Sequence, residues 1–303
     1  MIFAVHADSP DDFEAIAILA ESLRTFGGAH RSARLRVYIR DDRILPDNPR
    51  ILSLLNRFEA DLRVIPPPDP ATLFFRYAGK VYAAARAEQD AGSSDILVWM
   101  DPDTVILKEP SAFELPDTAS LGYRPVMHRN IGSPRSESPD AFWKTIYELL
   151  NIPDDRLFSM ATVADSEMIR PYINAGLCVV RPGRGLLRRW RDAFRTLAGD
   201  PFLRESSAHE PLRRIFLHQA GLAGAAMLAI PRSEWFELPP VYNYPILFDR
   251  AFRSLQTFNA LEGVVTARWE HLLFAPDPAW PDRLRGDPAL IEWLAERIRI
   301  PTR

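Results

Sequence analysis

The chain has 303 residues, 47% apolar and 25% charged, with a net charge of −3. That is enough apolar material for a large core without covalent staples, and a slightly acidic balance excludes nucleic acid as a bulk partner. One cysteine, Cys178, excludes an internal disulfide, and no stretch approaches the roughly 18 apolar residues that a membrane span requires.

Residues 2–5 predict a first strand. Ser9-Pro10-Asp11-Asp12 then opens a helix, with Ser9 as N-cap, Pro10 at the first helical position and an acid three residues after the cap. Ile16, Leu19, Ala20 and Leu23 form its apolar stripe, and Gly27-Gly28 stop it. A strand over 35–39, a short helix over 48–58 and a strand over 62–65 follow. The connector Ile65-Pro66-Pro67-Pro68-Asp69-Pro70 typifies the clustering of 27 prolines and reads as a stiff loop. An alanine-rich helix over 78–90 leads to the apolar run Ile96-Leu97-Val98-Trp99-Met100. Its length and its β-branched and aromatic members predict a strand buried on both faces. It runs into Asp101-Pro102-Asp103, and a second apolar run over 105–107 follows. Strands alternating with helices over the first hundred residues predict a mostly parallel α/β sheet flanked by helices.

After residue 107 the rhythm loosens into an irregular C-terminal half. The pattern predicts strands over 121–126 and 172–180, a Ser/Pro/Arg-rich loop over 129–139, and helices over 140–150, 186–197 and 212–222. A short strand over 226–230 and a closing helix over 288–299 complete it. No repeat or composition break marks a linker, so one domain over 1–303 is expected, with halves 1–110 and 111–303. The helix over 186–197 sets Arg188, Arg189, Arg191 and Arg195 opposite Leu186, Leu187, Trp190, Phe194 and Leu197. Such a helix packs its apolar side on a core or lies on an anionic membrane. The apolar start of the chain is too short for a signal sequence and lacks a basic lead, so a cytoplasmic location, or one peripheral to the inner membrane face, is expected. Cys178 lies in Leu177-Cys178-Val179-Val180 and reads as a buried structural thiol.

Carboxylates at the carboxyl end of a buried strand sit where open α/β sheets bind ligands. Asp101 and Asp103 repel each other unless something positive lies between them. A divalent cation, Mg²⁺ or Mn²⁺, is the usual answer, and such ions normally also hold phosphate oxygens. The alternative is a turn bearing two solvated aspartates. Tyr172-Ile173-Asn174-Ala175-Gly176 offers a polar side chain and a close backbone approach at the mouth of a strand. His218-Gln219 is a polar pair in an otherwise apolar helix, either satisfied in the core or catalytic. In Arg268-Trp269-Glu270-His271, the imidazole offers a nitrogen ligand to a metal held by the aspartates.

In this order, the buried run with Asp101-x-Asp103-Thr104, then Asn174-x-Gly176, the Gln219 helix and the late His271 resemble the family 8 glycosyltransferases over roughly residues 1–275. The resemblance implies the GT-A fold and metal-dependent, retaining transfer of a sugar, with a UDP-sugar as the favoured donor and a glycan, lipid or small molecule as acceptor. It implies that Asp101, Asp103 and His271 hold Mn²⁺ or Mg²⁺. By the same resemblance Asn174 and Gly176 lie under the donor sugar or its phosphates, and His6, Ala7 and Asp8 lie near the base and ribose. Lys80 approaches the sugar or a phosphate, and His218 and Gln219 form the helix motif at the reacting sugar. The chain departs from the family in two places. Family members commonly carry Asp beside the Gln, whereas here the neighbours are His218 and Ala220. A late Gly and Lys-Pro-Trp are replaced by Leu272-Leu273-Phe274-Ala275-Pro276, leaving Arg268, Arg283 or Arg285 to supply the missing charge. An inverting reaction needs a carboxylate base, for which Asp165, Glu167, Asp249 and Glu270 are candidates. The altered motifs keep open a sugar-nucleotide-binding protein without transfer. Met100-Asp101-Pro102-Asp103-Thr104-Val105 also resembles the haloacid-dehalogenase phosphatase signature, although about three strands precede it here.

Overall fold

Residues 1–41, 45, 48–246, 260–269 and 278–298 are described in a computed structural model of the chain. The first half alternates as its apolar runs predict: β1 (Ile2–Ala7), α1 (Asp12–Phe26), β2 (Arg34–Ile39), α2 (Pro49–Arg57), β3 (Ala60–Val64), α3 (Ala78–Asp90), β4 (Leu97–Met100) and β5 (Thr104–Ile106). The second half holds β6 (Leu121–Pro125), α4 (Ala141–Leu149), β7 (Met160–Ala161), β8 (Met168–Ile169), β9 (Ile173–Val180), α5 (Leu186–Gly199), α6 (Pro201–His209) and α7 (Pro211–Ala229). It closes with β10 (Trp235–Glu237), β11 (Tyr244–Pro245), β12 (Thr266–Arg268) and α8 (Pro288–Arg297).

The described residues build a seven-stranded central sheet in the order β10-β6-β9-β4-β1-β2-β3. Its pairings are parallel except those of β9, which runs antiparallel to both β4 and β6. Helices cover both faces. Trp99 and Cys178 point toward the cluster that holds Trp190, Phe194 and Leu217 of α5 and α7, while Val98 and Met100 point toward Phe13, Ile16 and Leu19 of α1. The period-2 alternation of β4 thus feeds two cores, which is why its sequence reads as an unbroken apolar run. A smaller sheet, β11-β12-β5, sets β12 antiparallel to β5 with Arg268 opposite Thr104.

Differences from the sequence reading have local causes. Residues 226–230 are not a strand: α7 runs on through Ala229, and its Leu222–Met227 stretch is buried all round. A short apolar run without periodicity does not distinguish a buried helix from a strand. α6 and β10 lie outside the predicted elements, and both are short. α1 starts at Asp12 rather than Pro10, but half of the expected capping exchange forms: the Asp12 carboxylate accepts from Ser9 N at 2.9 Å and from Asp8 N at 2.8 Å. Burial pushes the Cys178 thiol up to about 12, so it stays protonated, as a structural thiol should.

α5 resolves the choice posed by its arginines. Leu186, Leu187, Trp190, Phe194 and Leu197 are all buried against the core, so this helix has no apolar face to lay on a bilayer. No described helix is long and apolar enough to cross a membrane. Its N-terminus is held by Glu88 of α3, whose fully buried carboxylate accepts from Leu187 N at 3.0 Å, Arg188 N at 2.9 Å and Arg188 Nε at 3.0 Å. A carboxylate at a helix N-terminus satisfies orphan N–H groups and complements the helix dipole. Glu88 lies two turns from Lys80 on the same helix, so this lock also helps to set where Lys80 meets Asp101. Glu88→Ala is expected to lower unfolding free energy by roughly 3 kcal/mol, because it strands two N–H groups of the helix start. Urea unfolding of both proteins measures it, and matching midpoints would mean that the lock contributes nothing.

Candidate active site

Asp101 follows the last residue of β4, and its backbone N donates to Gly176 O at 2.9 Å across the antiparallel pairing with β9. This places the start of β9, with Asn174 and Gly176, against the end of β4. Thr104 N donates to Asp101 O at 3.2 Å, closing a tight turn that presents both acids on one side. The acids are not solvated: the side chains of Asp101 and Asp103 are 14% and 9% exposed. Cations from two other segments meet them. Lys80 Nζ of α3 lies 2.5 Å from Asp101 Oδ1. Arg268, at the end of β12, forks onto Asp103 through Nε (3.1 Å) and Nη2 (3.0 Å), and Nη2 also lies 3.2 Å from Asp101 Oδ2. Burial pushes the Asp101 carboxyl up, but the charges of Lys80 and Arg268 outweigh burial and hold it below the usual range.

Two cavities open on either side of this cluster. The smaller, about 290 Å³, is bounded by His6, Asp8, Ser9 and Asp12 of the β1–α1 turn and by Asp103. The larger, about 410 Å³, is bounded by Asn174, Gly176, His218, Gln219 and Asn243. Arg76, Tyr77, Lys80, Asp101 and Arg268 line both, so the shared wall is cationic. The β1–α1 turn is braced locally: His6 is buried with Nδ1 2.8 Å from Tyr38 O, and Asp8 pairs with Arg40 Nε at 3.1 Å. The His6 imidazole, with Nε2 3.6 Å from Asp8 Oδ1, and the Arg40 guanidinium hold the Asp8 carboxyl below its ordinary value, despite partial burial. Gly79 permits α3 to press on β1, since a Cβ there would lie 2.5 Å from His6 Nε2.

Most of the expected residues therefore converge. Asp101, Asp103, Lys80, His6 and Asp8 meet at the smaller cavity, and Asn174, Gly176, His218 and Gln219 at the larger. Ala7 does not join them: it alternates with His6 along β1 and packs in the core beneath α1, so its side chain takes no part in donor binding. His271, Glu270 and Asp249 lie outside the described residues. β12, which the sequence reading did not predict, lies just before the expected third metal ligand and delivers Arg268 to the two aspartates. As they stand, these carboxylates do not fit a divalent ion, because their oxygens already face an ammonium and a guanidinium. Among the described residues, no group of three or more His, Cys, Asp or Glu side chains could hold a metal.

Sequence reasoning missed Arg76, Tyr77 and Asn243. Tyr77 (φ 67°) and Asn243 (φ 55°) both sit in the left-handed region beside the cavities, a strain that a bare sequence does not reveal for non-glycine residues. The Tyr77 ring lies 4.8 Å from that of His218. Gln219 Oε1 accepts from Ala175 N at 3.2 Å, tying α7 to β9, and Asn174 Oδ1 accepts from Gly176 N at 2.7 Å.

His218 is buried, and its Nδ1 donates to Ile215 O at 2.8 Å, which assigns the proton to Nδ1 and leaves Nε2 as an acceptor. Burial, with Lys80 nearby, lowers its pKa to about 3, so the ring is neutral at physiological pH and is no general acid there. The unfolded chain, with a His pKa of about 6.5, takes up this proton first as the pH falls. His218 therefore makes stability fall through the window from about 6.5 down to about 3, by up to ~1.4 kcal/mol per pH unit. His218→Asn is expected to flatten melting temperature against pH between about pH 7 and 5 relative to wild type. Superimposable profiles would show that the native ring is readily protonated.

A family model described as Rhodobacterales glycosyltransferase domain matches residues 3–226, more than half of the chain. The fold is similar to that of the galactosyltransferase LgtC, solved with donor and acceptor sugar analogs, at 15% identity and a TM-score of 0.51 over 99% of this chain and 98% of that one. It is also similar to WbbM, a bifunctional glycosyltransferase solved in its apo form, at 13% identity and a TM-score of 0.54 over 99% of this chain and 50% of that one. At such identities the likeness is one of fold, and the fold is GT-A, as the resemblance implied. No curated protein matches the chain in sequence. With the family model spanning β1 to α7 and every motif residue up to Gln219, the chain belongs to the Rhodobacterales glycosyltransferase domain family.

Proposed function

We propose that the protein transfers a sugar from a nucleoside-diphosphate donor to an acceptor hydroxyl, with a UDP-sugar as the first donor to try and a glycan, lipid or small molecule as acceptor. The observation that carries this reading is the cationic wall shared by two cavities, one beside the β1–α1 turn and one beside α7. A nucleoside suits the smaller cavity, the diphosphate suits the wall, and the sugar suits the larger cavity beyond it. With their carbonyl oxygens already accepting, Asn174 and Gln219 offer amide N–H donors to sugar hydroxyls, and neutral His218 offers an acceptor.

In the transfer, the bond from the anomeric carbon to the β-phosphate oxygen breaks and its electron pair stays on the phosphate. The acceptor oxygen forms the new bond to that carbon, and its proton leaves with the diphosphate. Lys80 and Arg268 face the charge that accumulates on the leaving group, the kind of preorganised stabilisation that dominates such reactions. Retention of configuration is part of this reading. Asp101 is the carboxylate among the described residues lining the larger cavity, and it is engaged by two cations. Asp165 and Glu167, considered as bases, are bound instead to Thr162 and His128 and to Arg129.

The departure at His218 and Ala220, which leaves no acid beside Gln219, favours a second reading in which the donor is bound without transfer. Slow hydrolysis of the donor in water distinguishes the two, since only an active transferase shows it. One of UDP, GDP, CDP and dTDP is expected to raise the melting temperature, with a stabilisation of roughly 2.7 kcal/mol at a hundred times its Kd. Lys80→Ala should cancel that shift and lower donor turnover by about 10²–10³-fold. An absence of stabilisation by all four nucleotides would sink the glycosyl-transfer reading.

A further inference from the structure

The place expected for a metal ion is filled by the chain's own cations. Each of the four carboxylate oxygens of Asp101 and Asp103 faces a nitrogen of Lys80 or Arg268, at 2.5–3.2 Å. A Mg²⁺ ion would need such oxygens at roughly 2.0–2.1 Å, against the repulsion of both cations at close range.

Three further observations show that the guanidinium's place is built. β12 pairs with β5 so that Arg268 lies opposite Thr104, the residue after Asp103, and Trp269 N donates to Asp103 O at 3.2 Å. Strand register therefore delivers the side chain to the acids. Gly176 leaves the room: a Cβ there would lie 2.6 Å from Arg268 Nη1 and 2.8 Å from Asp101 Oδ2. The ion pairs are also enclosed, with Arg268 14% exposed and Lys80 8%, unlike the solvated surface pairs that open freely.

From this geometry we infer that the Asp-x-Asp pair recruits no divalent ion: it orients Arg268 and Lys80, and these two side chains hold the donor diphosphate directly. Asp103 takes the Nε–Nη2 edge of the guanidinium, and Arg268 lines both cavities, as does Lys80. Charge-assisted contacts from arginine and lysine are strong phosphate ligands and need no metal. Arg76 adds a third cation to the wall that both cavities share. The assignment of the diphosphate rests on the glycosyl-transfer reading, whereas the exclusion of the ion does not.

Titration of Mn²⁺ into chelator-treated protein, read by electron paramagnetic resonance of the free ion, is expected to show no more binding to wild type than to Asp103→Asn. The stabilising nucleoside diphosphate should raise the melting temperature equally in EDTA and in Mn²⁺. Arg268→His sets a neutral nitrogen ligand where the guanidinium stands, so this variant should gain Mn²⁺ binding and make the nucleotide shift depend on the ion. Arg268→Ala should weaken nucleotide affinity by about 10–100-fold, with Arg268→Lys restoring part of the loss. Stoichiometric Mn²⁺ on wild type that is lost in Asp103→Asn, or a nucleotide shift seen only with Mn²⁺, overturns the inference. The ion titration needs no nucleotide and no variant that risks misfolding other than the isosteric Asn. If UDP, GDP, CDP and dTDP all fail to bind in either buffer, the diphosphate assignment falls together with the glycosyl-transfer reading, while the titration alone still decides about the ion.

Discussion

The Asp101 carboxylate, held between Lys80 and Arg268, is the contact on which the rest of the site depends. A charge taken out of water costs several kcal/mol unless it is paired and hydrogen-bonded, and here the pairing draws on three separate segments: α3, the end of β4 and the end of β12. α3 and β4 follow one another along the chain, but β12 comes from its far end. Loss of any one partner would leave an uncompensated charge below the surface, so the three segments come together as a unit. The Glu88 lock at the far end of α3 serves the same arrangement, because it fixes the helix that carries Lys80 against α5. Two buried carboxylates on α3 and β4 thus set the position of one ammonium.

The chemistry of the two cavities follows from which polar groups the fold has already spent. On the β1–α1 side, His6 and Asp8 are tied to Tyr38 O and Arg40, which makes that turn a stiff frame. On the α7 side, the backbone N–H groups of Ala175 and Gly176 consume the carbonyl oxygens of Gln219 and Asn174 and leave donors for a ligand. His218 contributes an uncharged ring in a place where proximity to Lys80 would make a charged one costly. A polyhydroxylated ring meets both kinds of partner in such a pocket.

Much of this was legible in the residues. Strand β4 and its terminal acids stood out because burial on both faces forces an unbroken apolar run, and helices α1, α3 and α5 carried clear stripes or caps. Asn174, Gly176, His218 and Gln219 were visible as polar interruptions in apolar elements. The failures have separate origins, of which register between distant segments is one. Arg268 is one of three arginines that could replace a missing lysine until the pairing of β12 with β5 brings it onto the two aspartates. Ala7 looks equivalent to His6 until the alternation of β1 sends it to the opposite face. Tyr77 and Asn243 carry no local mark of their left-handed backbone. The continuation of α7 through residues 226–229 was hidden because a helix buried all round has lost its period.

The reversal of β9 has a consequence for how such a protein diversifies. Because β9 runs against β4, the beginning of one strand and the end of the other form a single hydrogen-bonded seam, with Asp101 N donating to Gly176 O across it. A one-residue slip in that seam would exchange inward and outward side chains along the slipped strand, so an insertion there is costly. The opposite wall of the larger cavity is of another kind: it is built from α7 and the segment near His128 and Asn130, which join no strand register. Drift in sequence, or deliberate recombination of segments between homologues, is thus channelled into one wall. The outline of the larger cavity can change there while the seam stays as it is.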